Sequence, residues 1–532
     1  MPTSRLPRAT LVASRFKPHY MLRLALISLV TGGGCLILGC LSLFSVPLRG
    51  DVAPLWPSAG WLFGCYWVYG SRALPSALAG SLAAALLMQS PPTALAFIAP
   101  IADTFLPYAA IRLLRRHMDN ATLLGTVRNT LSFMGIGAAL PSLGTAVLSM
   151  LIVAIPQHQP PLYALERTLI WFLTDFTSIL TIAPALIEVL RMPRRTLSRR
   201  PTLGDIVLFS LEICFSLLLF TTFILHDIST YPLLFFLLPL SFWACLRLGP
   251  TSISLFVLLS SGIAIVGTLH GVGVFAPYPT DTGILLVQVY TAIKSATLFV
   301  FCALQQDRNA THDSLDRTQA ATIIGLASLA ETRDNDTGHH ILRTRHYVRI
   351  LAETLARSPR YRSILTRTHI HRIANSAPLH DIGKVGIPDA VLLKPARLSP
   401  EEFDIMKTHA ELGREALRKS CRLLGMNSFL RTAEDIAWTH HERWDGTGYP
   451  RGIQGLHIPL SGRIMALADV YDALTSPRVY KQAMSHDKAR EVIIAERGRH
   501  FDPDVVDAFL ATENEFRTVA ETLLDDANPL PV

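Results

Sequence analysis

Cysteine is scarce. The chain has seven in 532 residues, six of them (Cys35, Cys40, Cys65, Cys214, Cys245, Cys302) inside apolar runs and Cys421 alone. No pair has the spacing of a zinc site or a disulfide framework, so metal chemistry, if present, falls to other residue types, and the polar part of the chain reads as facing a reducing compartment. Charge is scarce as well, 17% against 50% apolar residues. Period-two alternation is nearly missing, which excludes an extensive half-buried sheet and points to an all-α chain. The net charge of +8 invites a nucleic-acid reading. Its distribution argues otherwise, because the arginines flank apolar runs as the cytoplasmic loops of membrane proteins do. No nucleic-acid polymer is expected as a partner.

What the chain has instead is long apolar stretches in its first three hundred residues. The first, Leu22 to Val46, is too long and Gly-rich for a leader core and has no good cleavage site, so it reads as a spanning helix. Further spans are expected near 58–70, 73–90, 94–111, 130–155, 165–190, 205–225, 231–246, 250–269 and 283–304, ten in all, with eight as the fallback. Ten spans place Arg15, Lys17, Arg72, Arg112, Arg115, Arg116, the Arg191–Arg200 cluster, Arg247 and Arg308 on one side, with both termini cytoplasmic. Asp103, Asp175, Glu212 and Lys294 fall inside apolar runs. Such groups face the bundle interior, as a ligand or ion pocket or as an Asp–Lys pair that fixes packing.

After about residue 305 the composition changes. Leu315, Gln319, Thr322, Ile323, Leu326 and Leu329 recur at three- and four-residue steps, so the last span is expected to run on as a helix. The pattern is too short to require a coiled coil. Four separated segments then offer His or Asp within about ninety residues, a count fit for two metals. They are His380-Asp381-Ile-Gly-Lys384, then His409, then His440-His441-Glu442-Arg-Trp-Asp445-Gly-Thr-Gly-Tyr449-Pro450, and last Asp469-Val-Tyr-Asp472. Asp336 and His340 lie four apart, on one face of a regular helix. Ser399-Pro-Glu-Glu402 reads as a capping box.

These segments, with the Gly-Tyr-Pro triplet and Gly498-Arg-His-Phe-Asp502-Pro503, resemble the HD-GYP family of cyclic-dinucleotide phosphodiesterases over roughly 318–515. Leu55-Trp56-Pro57-Ser-Ala-Gly60, Gly70-Ser-Arg72-Ala-Leu-Pro75 and Arg247-Leu-Gly249-Pro250 resemble the MASE1 membrane sensor module over 22–304. The implied layout is a cytoplasmic tail (1–21), a MASE1-like sensor of eight to ten spans (22–304), a helical linker (305–330), an all-α HD-type phosphohydrolase domain (318–515) and a tail (516–532). The resemblance implies a multi-pass protein of a bacterial inner membrane. Its enzyme would hydrolyse cyclic di-GMP to linear pGpG and on to GMP by a two- or three-metal hydroxide mechanism. A silent receptor, or an enzyme for a mixed cyclic GMP–AMP dinucleotide, are the alternatives. His380, Asp381, His409, His440, His441 and Asp469 would be the core ligands, with Asp381 bridging. Asp336 and His340 would hold an additional metal. Lys384, Tyr449, Arg478 and Lys481 would contact substrate. Glu442, Asp445 and Asp472 would orient ligands. Iron or manganese leads as the metal, and the implied partners are the bilayer, a second copy of the chain and diguanylate cyclase (GGDEF) proteins. Two positions depart from the family: Arg478-Val479-Tyr480 replaces Arg-Pro-Tyr, and Asp336 stands where Glu is common.

Overall fold

A computed structural model describes residues 18–49, 55–88, 95–118, 122–153, 160–191, 202–221, 231–331, 339–424, 428–476 and 483–523. The chain divides into two compact units, Met1–Thr311 and His312–Val532. The described residues are helical throughout and carry no β-strand, only an isolated bridge between Arg497 and Phe501.

The first unit is a bundle of apolar helices. Ten helical runs occupy the ten apolar stretches of the sequence. Seven are long and apolar enough to cross a membrane, among them Met21–Ser42, Phe97–His117, Pro161–Leu190 and Pro250–Leu269. The helices Pro57–Tyr69, Leu74–Met88 and Tyr231–Arg247 are shorter. Apolar side chains face outward, such as Leu22 and Leu29 at 71% exposure, while hydroxyls and small residues sit inside. That inversion is what a hydrocarbon surround selects, since lipid solvates Leu and the interior must satisfy every polar group. Ser and Thr do so mostly by bonding the carbonyl one turn back, as Thr177 does to Leu173.

The four intramembrane ionisable groups differ from the expected Asp–Lys pair. Asp103 accepts from Trp56 Nε1 at 3.2 Å and Asp175 from Thr145 Oγ1 at 2.6 Å. Lys294, 3% exposed, donates to Ser260 Oγ at 2.7 Å and lies over the Phe256 and Tyr290 rings. These three are satisfied by a hydroxyl or indole, while the carboxyl oxygens of the buried Glu212 have no hydrogen-bond partner among the described residues.

Helix Thr280–Glu331 carries the last apolar run and continues for 52 residues. In the second unit its Ile323 and Ala327 pack with Ile341, Leu379, Leu417, Ala433 and Ala437. Leu315, Leu326 and Leu329 of the expected stripe are instead exposed. The buried face is therefore turned by one position from the one read in the sequence. The core of this unit gathers Tyr347, Leu351, Ile373, Ile464, Tyr471, Phe509 and Phe516. The capping box at Ser399 and Glu402 forms as expected, with both reciprocal bonds made.

Candidate metal centre

The His380-Asp381 pair sits in a tight chain reversal between helix Arg367–Ser376 and the short helix Asp389–Leu392, in two consecutive 3₁₀ turns. Gly383 explains the local sequence. A Cβ there would lie 2.0 Å from the His409 carbonyl oxygen, so only glycine lets the turn press onto helix His409–Leu424. That contact brings Asp381 against His409. Helix Ser428–Thr439 ends immediately before His440-His441, and helix Leu460–Thr475 supplies Asp469 and Asp472.

Seven side chains form two adjacent groups. Asp381, His409, His440 and His441 offer ligand atoms within 4.8 Å of one another, as do His340, His380 and Asp469. Asp381 joins the groups. Its Oδ1 lies 3.3 Å from His409 Nε2 and 3.4 Å from His440 Nε2, and its Oδ2 lies 3.3 Å from His380 Nε2. Asp469 Oδ1 stands 3.8 Å from His340 and 3.9 Å from His380.

The imidazole protons decide what this arrangement is for. Nδ1 of His380 bonds the Ala377 carbonyl at 3.0 Å, Nδ1 of His409 that of Met406 at 2.8 Å, and Nδ1 of His440 that of Ile436 at 3.1 Å. Carbonyls only accept, so each Nδ1 carries the proton and each Nε2 presents a lone pair. Those lone pairs then face one another, with His409 Nε2 and His440 Nε2 3.5 Å apart. His340 and His380 repeat the same 3.5 Å approach. Buried bare acceptors converging beside two carboxylates are stabilised by a cation, and nitrogen with oxygen donors suits a divalent transition metal. The residues present fit such a metal.

The electrostatics of Asp381 and His441 agree, while at His380 burial is outweighed by Asp381 and Asp469, which push its pKa up to about 9 where no cation offsets them. Burial pushes the Asp381 carboxyl up, but Lys384, His380 and His409 outweigh it and hold it well below the ordinary carboxylate range. Burial, then the neighbouring His440 and His409, holds His441 well below the usual histidine range, keeping it neutral as a ligand must be. Lys384 Nζ lies 2.8 Å from Asp381 Oδ2. It stands at the site already paired, rather than as a lone cation awaiting phosphate.

Tyr449 stacks on His441 with ring centroids 4.7 Å apart and 29° between planes. Its loop is shaped by Gly448, where a Cβ would fall 2.3 Å from the Arg443 nitrogen. Glu442 and Asp445, expected to orient ligands, bond groups of their own loop. Glu442, 2% exposed, accepts from the backbone amides of Arg451 at 2.8 Å and Ile453 at 3.1 Å, and Asp445 accepts from Thr447 N and Oγ1 within its own turn. Both hold the loop that presents Tyr449. Asp472 accepts from His340 Nδ1 at 2.7 Å. It also takes both forks of the buried Arg343, whose part the sequence reading did not see. His340, expected beside an additional metal, lies with His380 and Asp469. Asp336, Arg478 and Lys481 lie outside the described residues.

The loop geometry gives one expectation. Glu442→Gln replaces an acceptor of two amides by a group with one acceptor oxygen, so one buried N–H loses its partner at a cost of about 1–3 kcal/mol. The loop should loosen, raising KM several-fold while metal content, measured by elemental analysis, stays as in the parent. Loss of metal in this variant would instead tie Glu442 to the ligands.

Comparison with known proteins bears on both units. The MASE1 family profile matches residues 24–309, just over half of the chain, and an HD domain profile matches residues 330–505. A cyclic di-GMP phosphodiesterase of Vibrio cholerae is 57% identical over 218 residues, covering 41% of this chain and 44% of that protein. A 3'3'-cGAMP-specific phosphodiesterase of the same organism is 41% identical over 211 residues, covering 40% of this chain and 38% of that protein. A cyclic di-GMP phosphodiesterase of Thermotoga maritima is 42% identical over 194 residues, covering 36% of this chain and 49% of that protein. The chain thus spans less than half the length of these curated relatives.

Proposed function

From the premise that this chain belongs to the MASE1 family and carries an HD domain, we propose that it is a multi-pass membrane phosphodiesterase that opens cyclic di-GMP. The observation that carries the reading is Asp381 joined at once to two histidine groups. His380, His409, His440, His441, His340 and Asp469, with Asp381 between them, would hold two divalent metals, iron or manganese by preference. Bound there, they would supply the Lewis acidity that activates water toward an anionic phosphodiester.

The chain's own residues do the rest. Lys384 places an ammonium at the rim, where it offsets phosphate charge once Asp381 is engaged elsewhere. Burial, then Asp381 and Asp469, holds the Tyr449 hydroxyl above its ordinary range, so it stays a hydrogen-bond donor to the substrate. Arg478 and Lys481 complete the phosphate contacts. Asp336 would serve an additional metal and the second cleavage, from linear pGpG to GMP.

The active unit faces the cytoplasm of a bacterial inner-membrane protein, with the membrane half as its regulator. The exposed Leu315, Leu326 and Leu329 on helix Thr280–Glu331 favour a homodimer through that helix, and a diguanylate cyclase is a partner of the same signalling chemistry. A second reading, cleavage of a mixed cyclic GMP–AMP dinucleotide, is favoured by the 41% identity to the cGAMP-specific relative.

The test is hydrolysis by the manganese- or iron-loaded full chain in detergent, followed by chromatography. Cyclic di-GMP should be cleaved fastest, with the linear dinucleotide accumulating before GMP, and Asp336→Ala should slow the second step more than the first. Faster cleavage of 3'3'-cGAMP would select the second reading. No cleavage of any cyclic dinucleotide by metal-loaded protein would leave a receptor.

A further inference from the structure

A second polar site lies in the membrane half. Helix Pro57–Tyr69 ends at Gly70, whose φ of +64° turns the chain into the 3₁₀ turn Gly70–Ala73. That turn carries Arg72 to the last turn of helix Leu95–His117, where Arg112, Arg115 and Arg116 emerge. The four guanidinium groups line one cavity of about 580 Å³ together with Tyr66 and Tyr108, and none of its lining residues is acidic.

Arginines that merely flank a span extend separately toward water or headgroups. These four, although exposed, line one cavity, and part of its wall is held by packing. Arg115 donates to the Trp67 carbonyl, and its guanidinium carbon lies 5.2 Å from the centroid of the Trp67 ring. Tyr66 and Tyr108 meet edge to face at 5.7 Å. Among the described residues, no ion pair engages any of the four arginines. The carbonyl end of helix Leu95–His117 favours positive charge, yet a helix terminus amounts to about half an elementary charge, too little to balance four.

We propose that this cavity binds a phosphate-bearing anion. Planar guanidinium forks match phosphate oxygens two at a time. The volume falls in the range of small-molecule sites and exceeds that of one phosphate, so the ligand carries an organic group against the tyrosine walls. Two sources share this chemistry, a free phosphorylated metabolite and the headgroup of an anionic phospholipid. The site is independent of the His–Asp centre and of the reaction proposed for it.

The experiment uses the full chain in nanodiscs. One arm titrates inorganic pyrophosphate into phosphatidylcholine discs and reads the shift of the unfolding midpoint. The other measures phosphatidylglycerol retained over phosphatidylcholine by native mass spectrometry. The readout in both is the arginine-dependent part, the parent against Arg112→Gln/Arg116→Gln, with Arg308→Gln as the charge control. At least one arm should weaken tenfold or more in the double variant and stay unchanged in the control. Loss in the pyrophosphate arm assigns a soluble ligand, and loss in the lipid arm assigns a headgroup. Should the Gln pair not fold, Arg112→Lys/Arg116→Lys keeps the charge and removes the forks, and a loss of threefold or more carries the same meaning. Equal behaviour of parent and arginine variants in both arms, or equal loss in Arg308→Gln, would overturn the site.

Discussion

Asp381→Ala should abolish turnover and empty the metal centre together while leaving the helical unit folded. The carboxylate reaches both histidine groups, through Oδ1 to His409 and His440 and through Oδ2 to His380. Its removal leaves His409 and His440 facing one another without the carboxylate beside them, while Asp469 stays with His340 and His380. Altering a residue that only supports a ligand costs about 10–100-fold in metal affinity or activity, so loss of the shared anion should cost at least about a hundredfold. Lys384 loses its contact with Asp381 in the same step. Asp381→Asn keeps the shape and the oxygen but not the charge, so it should retain the fold equally well and recover little metal. The measurements are metal content by elemental analysis, turnover with manganese restored after chelation, and helicity by circular dichroism. Full turnover of the alanine variant in metal-restored buffer would sink a mechanism centred on this residue.

How much of this was legible beforehand depends on the range over which each feature is encoded. The capping box at Ser399 and the ten apolar runs are local patterns, and each appears where the sequence put it. The division of the ligands into two groups is not local. His340 stands forty positions from His380, and only the packing of helix His339–Leu355 brings the two Nε2 atoms to 3.5 Å. Glu442 misled for a similar reason. A carboxylate beside a ligand histidine suggests an orienting partner, but the loop folds back so that the amides of Arg451 and Ile453 reach it first. The cavity of Arg72 with Arg112, Arg115 and Arg116 was visible only as two flanking clusters on the same side. One signal could have exposed part of this: Arg343 sits three residues after His340, on the same helix face, and a buried arginine requires an anion.

That anion is Asp472, and its loss should be nearly as damaging as the loss of Asp381, by a different route. Asp472 is 1% exposed and accepts from Arg343 Nε at 2.7 Å, Arg343 Nη2 at 3.1 Å and His340 Nδ1 at 2.7 Å. Burial pushes its carboxyl up, but His340 and Arg343 outweigh this and hold it below the ordinary range. Asp472→Ala takes the carboxylate away from the buried Arg343 charge, and the Leu523 carbonyl and Ser476 hydroxyl that it also reaches are neutral acceptors. Breaking a buried pair from one side costs about 3–5 kcal/mol. It also frees the His340 proton to move to Nε2, which removes a ligand lone pair, so metal affinity should fall by about 10–100-fold. The two effects separate in a double variant. Asp472→Leu with Arg343→Met removes both charges and fills the volume, and such replacements are often neutral or stabilising. Stability should return, by thermal unfolding of the metal-free protein, while metal affinity and turnover stay low, because His340 still lacks the acceptor that fixes its tautomer. If the double variant regains metal and turnover along with stability, Asp472 serves only to neutralise Arg343, and the orientation of His340 rests on the packing of its helix alone.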